Sequence, residues 1–237
     1  MAQFIHQGEK KKKYVKQMFN DISKTYDLIN ILSSFGIDRY WRNCLIKKIK
    51  LSYNHQLLDV ATGTGDVAFG FLKRYHCAVV GIDIARNMIA LAKIKAKKYH
   101  GDISFFEGDA EKLVFSDSTF DALTISFGFR NLGCYDTALS EFYRVLKQNG
   151  KIAILEFSKP TSAWFAPIFK FYFNKVIPII GSILSRKDAY MYLPESVDHF
   201  LTRNDVCAKL EDAGFKHITY TDYTFGVVTL YIGEKNE

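Results

Sequence analysis

The stretch Gln56-Leu57-Leu58-Asp59-Val60-Ala61-Thr62-Gly63-Thr64-Gly65-Asp66-Val67-Ala68 decides the fold of this chain. Residues 56–61 form a short apolar, β-rich run of the kind that makes a buried strand, and residues 67–75 carry a helical pattern. Between them Gly63, Gly65 and Ala68 fit G-x-G-x-x-G/A, where the glycines permit a tight turn and let a ligand approach the backbone closely. Asp83 stands at the end of the next β-rich run. Strand, loop, helix and acid in this order mark a site for a nucleotide-like ligand.

Outward from the loop, β-rich runs at 77–83, 103–107, 120–127 and 151–157 alternate with helical patterns at 87–99 and 136–146. This is the βαβ pattern of a parallel sheet with helices on both faces. Further on, a helical pattern over 204–213 ends at Gly214, and runs at 216–223 and 227–232 flank a short turn, so one strand must run antiparallel to the rest. The expectation is a single α/β, Rossmann-like domain over 1–237, with a mostly parallel seven-stranded sheet whose last strand is reversed. Val15, Met18, Phe19 and Ile22 fall at helical spacing and predict a helical lid over residues 1–50. All four prolines, Pro160, Pro167, Pro178 and Pro194, fall in one stretch, which sets residues 161–200 apart as an insert covering the substrate.

Charge narrows the ligand. A dinucleotide places its pyrophosphate at the helix N-terminus, yet Asp66 occupies that terminus and Asp59 lies near the end of the strand. Two carboxylates repel a pyrophosphate, whereas S-adenosylmethionine has no phosphate and carries a sulfonium and an ammonium. Asp83 is then placed to accept the ribose hydroxyls, and Asp109, within Gly108-Asp109-Ala110, the adenine amine. A Tyr143/Lys147 pair at reductase spacing sits where a helix runs into a turn, which disfavours a reductase.

At 237 residues, 48% hydrophobic and 24% charged, the chain has the composition of an ordinary folded domain. Cys44, Cys77, Cys134 and Cys207 show neither a C-x-x-C pair nor zinc-ligand spacing, so no metal is expected and the thiols suit a reducing cytosol. The N-terminal stretch lacks the apolar region of a secretory signal, so a cytoplasmic enzyme is expected. The net charge of +7 favours a polyanion, either nucleic acid or an anionic membrane face. For Lys10 to Lys13 and for Lys93, Lys95, Lys97 and Lys98 a solvated face is the default. Residues 163–184 are crowded with aromatic and aliphatic side chains, but Pro167, Lys170, Asn174, Lys175 and Pro178 interrupt them. A bilayer span needs about 20 largely apolar residues, so this segment reads either as a buried helix or as a cover for a lipophilic substrate or membrane surface.

Further motifs carry a family resemblance. Val15-x-x-Met18-Phe19-Asn20-x-Ile22, Tyr26-Asp27-x-x-Asn30, Ser34-Phe35-Gly36, Trp41-Arg42, Ser126-Phe127-Gly128-Phe129-Arg130-Asn131, Leu155-Glu156-Phe157-Ser158-Lys159-Pro160 and Tyr192-Leu193-Pro194-Glu195-Ser196 resemble the quinone-biosynthesis C-methyltransferases of the UbiE/MenG family. The resemblance implies a class I S-adenosylmethionine-dependent fold and methyl transfer to a ring carbon of a polyprenylated quinol, either demethylmenaquinol or a methoxybenzoquinol. It implies cofactor contacts at Thr64, Asp83, Asp109, Ala110 and Ser126, to which the glycine loop adds Asp59, Gly63 and Gly65. Gln148-Asn149-Gly150 and Tyr231 depart from the family's usual Pro-Gly-Gly and histidine.

For catalysis, Arg130 is expected to stabilise the developing phenolate, Tyr26 to orient the hydroxyl and Asn131 to hold the ring, with water or another group as base. The alternative is that Arg130 pairs with an acid to pin its loop. Peripheral contact with the inner membrane face and a homo-oligomer are compatible with the sequence. Nucleic acid is not expected as a partner, because no Asn-Pro-Pro-Tyr-like or catalytic Pro-Cys element occurs. A binding module that keeps the fold without turnover is the rival from outside enzymology.

Overall fold

The computed structural model describes residues 7–179 and 187–236. Two helices, α1 (Gly8–Ser34) and α2 (Ile37–Lys48), precede β1 (Gln56–Val60), α3 (Asp66–Tyr75), β2 (Ala78–Asp83), α4 (Arg86–Ala96), β3 (Ile103–Glu107) and β4 (Phe120–Ser126). Then follow α5 (Tyr135–Val145), β5 (Leu146–Phe157), α6 (Phe165–Phe171), α7 (Lys187–Asp198), α8 (Arg203–Asp212), β6 (Lys216–Tyr223) and β7 (Val228–Glu234). The strands form one seven-stranded sheet in the order β3-β2-β1-β4-β5-β7-β6. Pairs among β1 to β5 are parallel, and β7 runs antiparallel to both β5 and β6, as the expected hairpin requires. The strand order reverses between β1 and β4, and the crevice outside such a switch point is where α/β sheets bind ligands.

Leu57 and Leu58, adjacent in β1, point to opposite faces and seed two cores. Leu57 joins Leu45, Phe71, Val79 and Phe105 under α2 and α3, while Leu58 joins Leu123, Ile125, Phe142, Val206 and Leu210 under α5 and α8. Val15, Met18, Ile22 and Ile29 of α1 form a third cluster with Phe173, Ile177, Tyr190 and Tyr192. The expected lid and insert are therefore packed on each other. Of the segment 163–184, residues 165–171 are helical, a π-helical turn Tyr172–Val176 follows, and residues 180–184 lie outside the described residues.

The strand expected at 151–157 begins earlier, at Leu146, where the chain passes from α5 directly into β5. Asn149 adopts a left-handed conformation (φ 62°), and the β4–β5 register shifts between Phe120 and Ala122. An extra stretch is thus looped out of the ladder as a bulge. Tyr143 packs edge-on against Phe215, and Lys147 pairs with Asp121 at 2.8 Å, so the Tyr143/Lys147 spacing holds no catalytic pair.

Gly128 shows how tightly the loop after β4 crosses the glycine loop. A Cβ there would lie 2.4 Å from Cβ of Ala61, itself in the left-handed region at φ 51°. Neither backbone can yield without moving a strand end. Gly128→Ala is expected to destabilise the fold by about 1–3 kcal/mol, the usual range for overpacking, read as a lower urea midpoint. An unchanged midpoint would show that the two loops can separate freely.

Candidate active site

Three adjoining cavities open at the carboxyl ends of β1, β2 and β4. The first, a cleft of about 70 Å³, is walled by Gly63, Asp83, Asp109, Ala110 and Ser126 and roofed by Lys12, Phe19 and Tyr26 of α1. Asp83 ends β2 almost buried. Its Oδ2 accepts the Gly63 N–H at 2.9 Å and its Oδ1 the Ala85 N–H at 2.8 Å. Burial pushes its pKa up to about 6, and the two backbone hydrogen bonds oppose that rise. Oγ of Ser126 is buried with no hydrogen-bond partner among the described residues, and its residue lines this cleft. A buried hydroxyl awaiting a partner and a carboxylate with lone pairs to spare fit the polar groups of an adenosyl sulfonium.

Asp109 is less free than expected. Its Oδ1 accepts the Glu111 N–H at 2.9 Å and its Oδ2 accepts from Lys12 Nζ at 2.9 Å. Lys12 also pairs with Glu9 and Glu111, and Nζ of Lys11 is buried against the Arg130 carbonyl at 2.7 Å. Burial, seconded by the Arg130 charge, lowers the Lys11 pKa to about 8. Part of the lysine run expected as a solvated face therefore fastens the lid. Lys95 does the same from α4, pairing with Asp27 of α1 at 2.7 Å.

The second cavity, about 20 Å³ beneath the glycine loop, is lined by Arg42, Asp59, Thr62, Thr64 and Asp66 among others. Asp59 accepts from Oγ1 of Thr62 and of Thr124, both at 2.7 Å, and burial raises its pKa to about 6. Thr64 Oγ1 donates to Asp27 at 2.7 Å and accepts from Lys95 at 2.7 Å. Gly65 lines none of the three cavities. It caps α3 at φ 92°, and a Cβ there would meet Phe69 at 2.7 Å and Phe105 at 3.0 Å. Its place in the motif comes from backbone geometry and packing, with the residues on either side of it, Thr64 and Asp66, lining the small cavity.

The third cavity is the largest, about 350 Å³, and is formed by the lid and insert over Phe127 and Phe157. Its walls include Phe19, Ile22, Trp41, Phe165, Phe169 and Phe173, with polar groups from Asn30, Asp38, Arg42 and Arg130. Nη1 of Arg130 donates to Glu156 Oε1 at 2.6 Å and to the Phe127 carbonyl at 2.8 Å, and Nε donates to Ser196 Oγ at 3.3 Å. Glu156, fully buried, also accepts the Arg130 N–H at 3.1 Å. Arg130 thus both pins its loop through an acid and faces the cavity.

Asn131 departs from expectation. The 3₁₀ turn Phe129–Asn131 sends it to the cofactor cleft, where its Oδ1 accepts from Tyr192 OH at 3.1 Å, and it does not line the large cavity. Tyr26, in contrast, borders all three cavities, and burial raises its pKa while the Arg42 charge opposes the rise.

Sequence reasoning missed Glu156, Ser196, and the Asp38–Arg42 ion pair beneath Ser34, whose Oγ donates to Asp38 at 2.7 Å. The i,i+4 spacing of Asp38 and Arg42 was a readable signal. No group of three or more potential metal ligands occurs among the described residues.

A seven-stranded sheet with a reversed last strand, and an acid-lined cleft at its switch point, define a class I methyltransferase fold. Solved structures agree: a SAM-dependent methyltransferase from Aquifex aeolicus superposes with a TM-score of 0.61 at 20% identity, covering 82% of this chain and 89% of that one. The [4+2]-cyclase SpnF superposes at 0.69 with 16% identity, covering 94% and 95%, so the fold alone leaves the reaction open.

The chain matches the ubiE/COQ5 methyltransferase family over residues 7–235 and belongs to that family. It is 43% identical to the ubiquinone/menaquinone biosynthesis C-methyltransferase UbiE of Geotalea daltonii, over 99% of this chain and all of the relative (100%). It is 41% identical to the demethylmenaquinone methyltransferase of Thermus thermophilus, over 92% of this chain and 100% of that protein.

Removing one member of a buried ion pair strands the other. Glu156→Gln is expected to lower stability by about 3 kcal/mol, measured by urea denaturation. A loss below about 0.5 kcal/mol, the scale of a surface substitution, would show that Arg130 finds another partner.

Proposed function

We propose that this enzyme transfers a methyl group from S-adenosylmethionine to a ring carbon of a polyprenylated quinol, demethylmenaquinol or a methoxybenzoquinol. One observation carries the reading: an acid-lined cleft and a large, predominantly apolar cavity meet at Tyr26. When bound, the cofactor supplies an activated methyl on its sulfonium. Asp83 accepts the ribose hydroxyls, Asp109 and the Ala110 backbone hold the adenine edge, and Ser126 Oγ and the Gly63 backbone face the chain beyond. Asp59 and Thr64 act through the loop they brace.

The chain's remaining task is to make a ring carbon nucleophilic. Loss of a proton from a quinol hydroxyl to water pushes charge onto the ring, and Arg130, too basic to take that proton, stabilises the anion with its guanidinium; once the ring carbon is methylated its own proton leaves to water and the oxygen is reprotonated, restoring the quinol. Tyr26, whose raised pKa keeps its phenol protonated, donates to the same oxygen. Asn131 supports the Arg130 turn from the cofactor side.

The tail leaves through a mouth rimmed by exposed apolar side chains. Phe35 is 79% exposed, Trp164 64%, Phe171 66% and Ile168 57%, and Phe35 and Ile168 line the cavity itself. Lys170 and Lys175 are exposed beside them. An apolar rim with adjacent lysines suits an anionic lipid surface, which would deliver the acceptor at the cytoplasmic face. No helix among the described residues is long and apolar enough to cross a membrane.

Methylation is assayed by mass spectrometry with a long-tailed quinol, a tail-less analogue, RNA and DNA. Turnover on quinol alone is expected, and turnover on nucleic acid alone would overturn the reading. Phe169→Ser with Phe173→Ser should raise KM at least tenfold for the long-tailed acceptor and less than twofold for the tail-less one, since each buried CH₂ contributes about 0.8 kcal/mol. Equal effects would assign these rings to fold stability.

Asp83 gives a pH signature. Its folded pKa of about 6 lies above the ordinary 3.8, so the charged form destabilises the fold above about pH 6, and stability is regained as pH falls from 6 towards 4. Cofactor binding has the opposite sign, because accepting two hydroxyls requires the carboxylate. Affinity for S-adenosylmethionine is expected to fall about tenfold from pH 7 to pH 5 by calorimetry. Asp83→Ala should bind weakly with a flatter profile, and an unchanged profile in that variant would remove Asp83 from the site.

A further inference from the structure

We propose that Arg42 is the counter-ion of the cofactor's α-carboxylate, an assignment that rests on the cofactor reading above. The amino-acid end of S-adenosylmethionine is a zwitterion, so beside the groups that receive its ammonium its carboxylate needs hydrogen-bond donors, and a cation is the strongest of these. The cleft that fits the adenosyl part continues, past Ala61, Gly63, Ser126 and Tyr26, into the small cavity beneath the glycine loop. Asp59 and Asp66 there suit the ammonium. Arg42 is the one cation lining that cavity among the described residues.

The neighbouring cations are held outside the cavity, Lys95 behind Thr64 and Asp66 of its wall. Lys95 does not line the cavity and is held by Asp27 at 2.7 Å and Asp66 at 3.2 Å. Arg130 lines only the large cavity, held to Glu156. Arg42 sits with its side chain 12% exposed, its guanidinium carbon 5.5 Å from the centre of the Phe127 ring. Both of its ion pairs, to Asp38 and to Asp66 at 3.7 Å, run through Nη1. A planar guanidinium presents two edges, so a group paired through one nitrogen keeps donors for a second carboxylate.

Arg42 also lines the large cavity, as does its partner Asp38. The cofactor's carboxylate and Asp38 then share one guanidinium, so Arg42 physically joins the two substrate sites. Any preference of one ligand for the other's presence must be reciprocal.

The test pairs a side-chain change with a ligand change. Affinities of wild type, Arg42→Gln and Arg42→Lys are measured by calorimetry for S-adenosylhomocysteine and for its decarboxylated analogue, with thermal melts as the folding control. Arg42→Gln is expected to lose about 10- to 100-fold on S-adenosylhomocysteine, the scale of one charge-assisted contact, and less than about threefold on the analogue. Arg42→Lys, which keeps the charge without the fork, should lose less but with the same preference for the carboxylate-bearing ligand. It serves as the deciding variant if Arg42→Gln does not fold. Equal losses on both ligands, or no loss on S-adenosylhomocysteine, would overturn the assignment. Failure of wild type to bind S-adenosylhomocysteine would instead overturn the cofactor reading on which it rests.

Discussion

Asp59 sits at the end of β1 with 1% of its surface exposed, and a buried carboxylate must be satisfied where it stands. Thr62 reaches it from the glycine loop and Thr124 from β4. One side chain thereby fastens the loop to the neighbouring strand across the switch point. The cost of burying the charge is visible in its raised pKa. What it secures is the arrangement on either side: Gly63 turned so that its N–H meets Asp83, and Gly128, just past β4, held against Ala61. The cleft is shaped by this clasp before any ligand enters.

The lid closes that cleft by two kinds of contact with different consequences. Val15, Met18, Ile22 and Ile29 anchor α1 in an apolar cluster with the insert. Towards the cofactor side the contacts are polar and partly exposed, such as Lys16 with Glu107 and Asn20 with the Asn87 backbone. Exposed ion pairs contribute roughly 0–1 kcal/mol each, so these outer contacts add little beside the buried Lys11 and Lys12 fastenings and the packing of Val15 and Met18 with Ala85 and Met88.

How much of this was legible in the sequence follows from the range of each interaction. The sheet, its order-determining loop and its reversed strand were readable because periodicity and glycine spacing are local. The start of β5 was not, because Asn149 and Gly150 read as a loop while tertiary pairing continues the strand through a bulge. Asp83 and Ser126, named from their positions at strand ends, both line the cleft. That Arg130 and Asn131 line different cavities was not readable, because two adjacent residues of a 3₁₀ turn diverge in a way that no pattern at that spacing reveals. Lys11 and Lys12 looked like a solvated face because their acceptors, the Arg130 carbonyl and Asp109, lie far along the chain. The nature of the acceptor came from family resemblance and not from composition or spacing.

The Arg130–Glu156 pair shows why its geometry outweighs its charge. A buried ion pair is weak support for stability, since desolvation offsets much of the attraction. The pair is also close to neutral as seen from a distance, so whatever the guanidinium does to a ligand is confined to direct contact. What Glu156 does is fix the orientation of the guanidinium: together with the Phe127 carbonyl it holds Nη1, while Ser196 engages Nε. The guanidinium is thereby held in one orientation at the cavity wall before any ligand arrives. That constraint explains the use of three separate segments, the turn after β4, the end of β5 and the last part of α7, to hold one side chain at the wall of an otherwise apolar cavity.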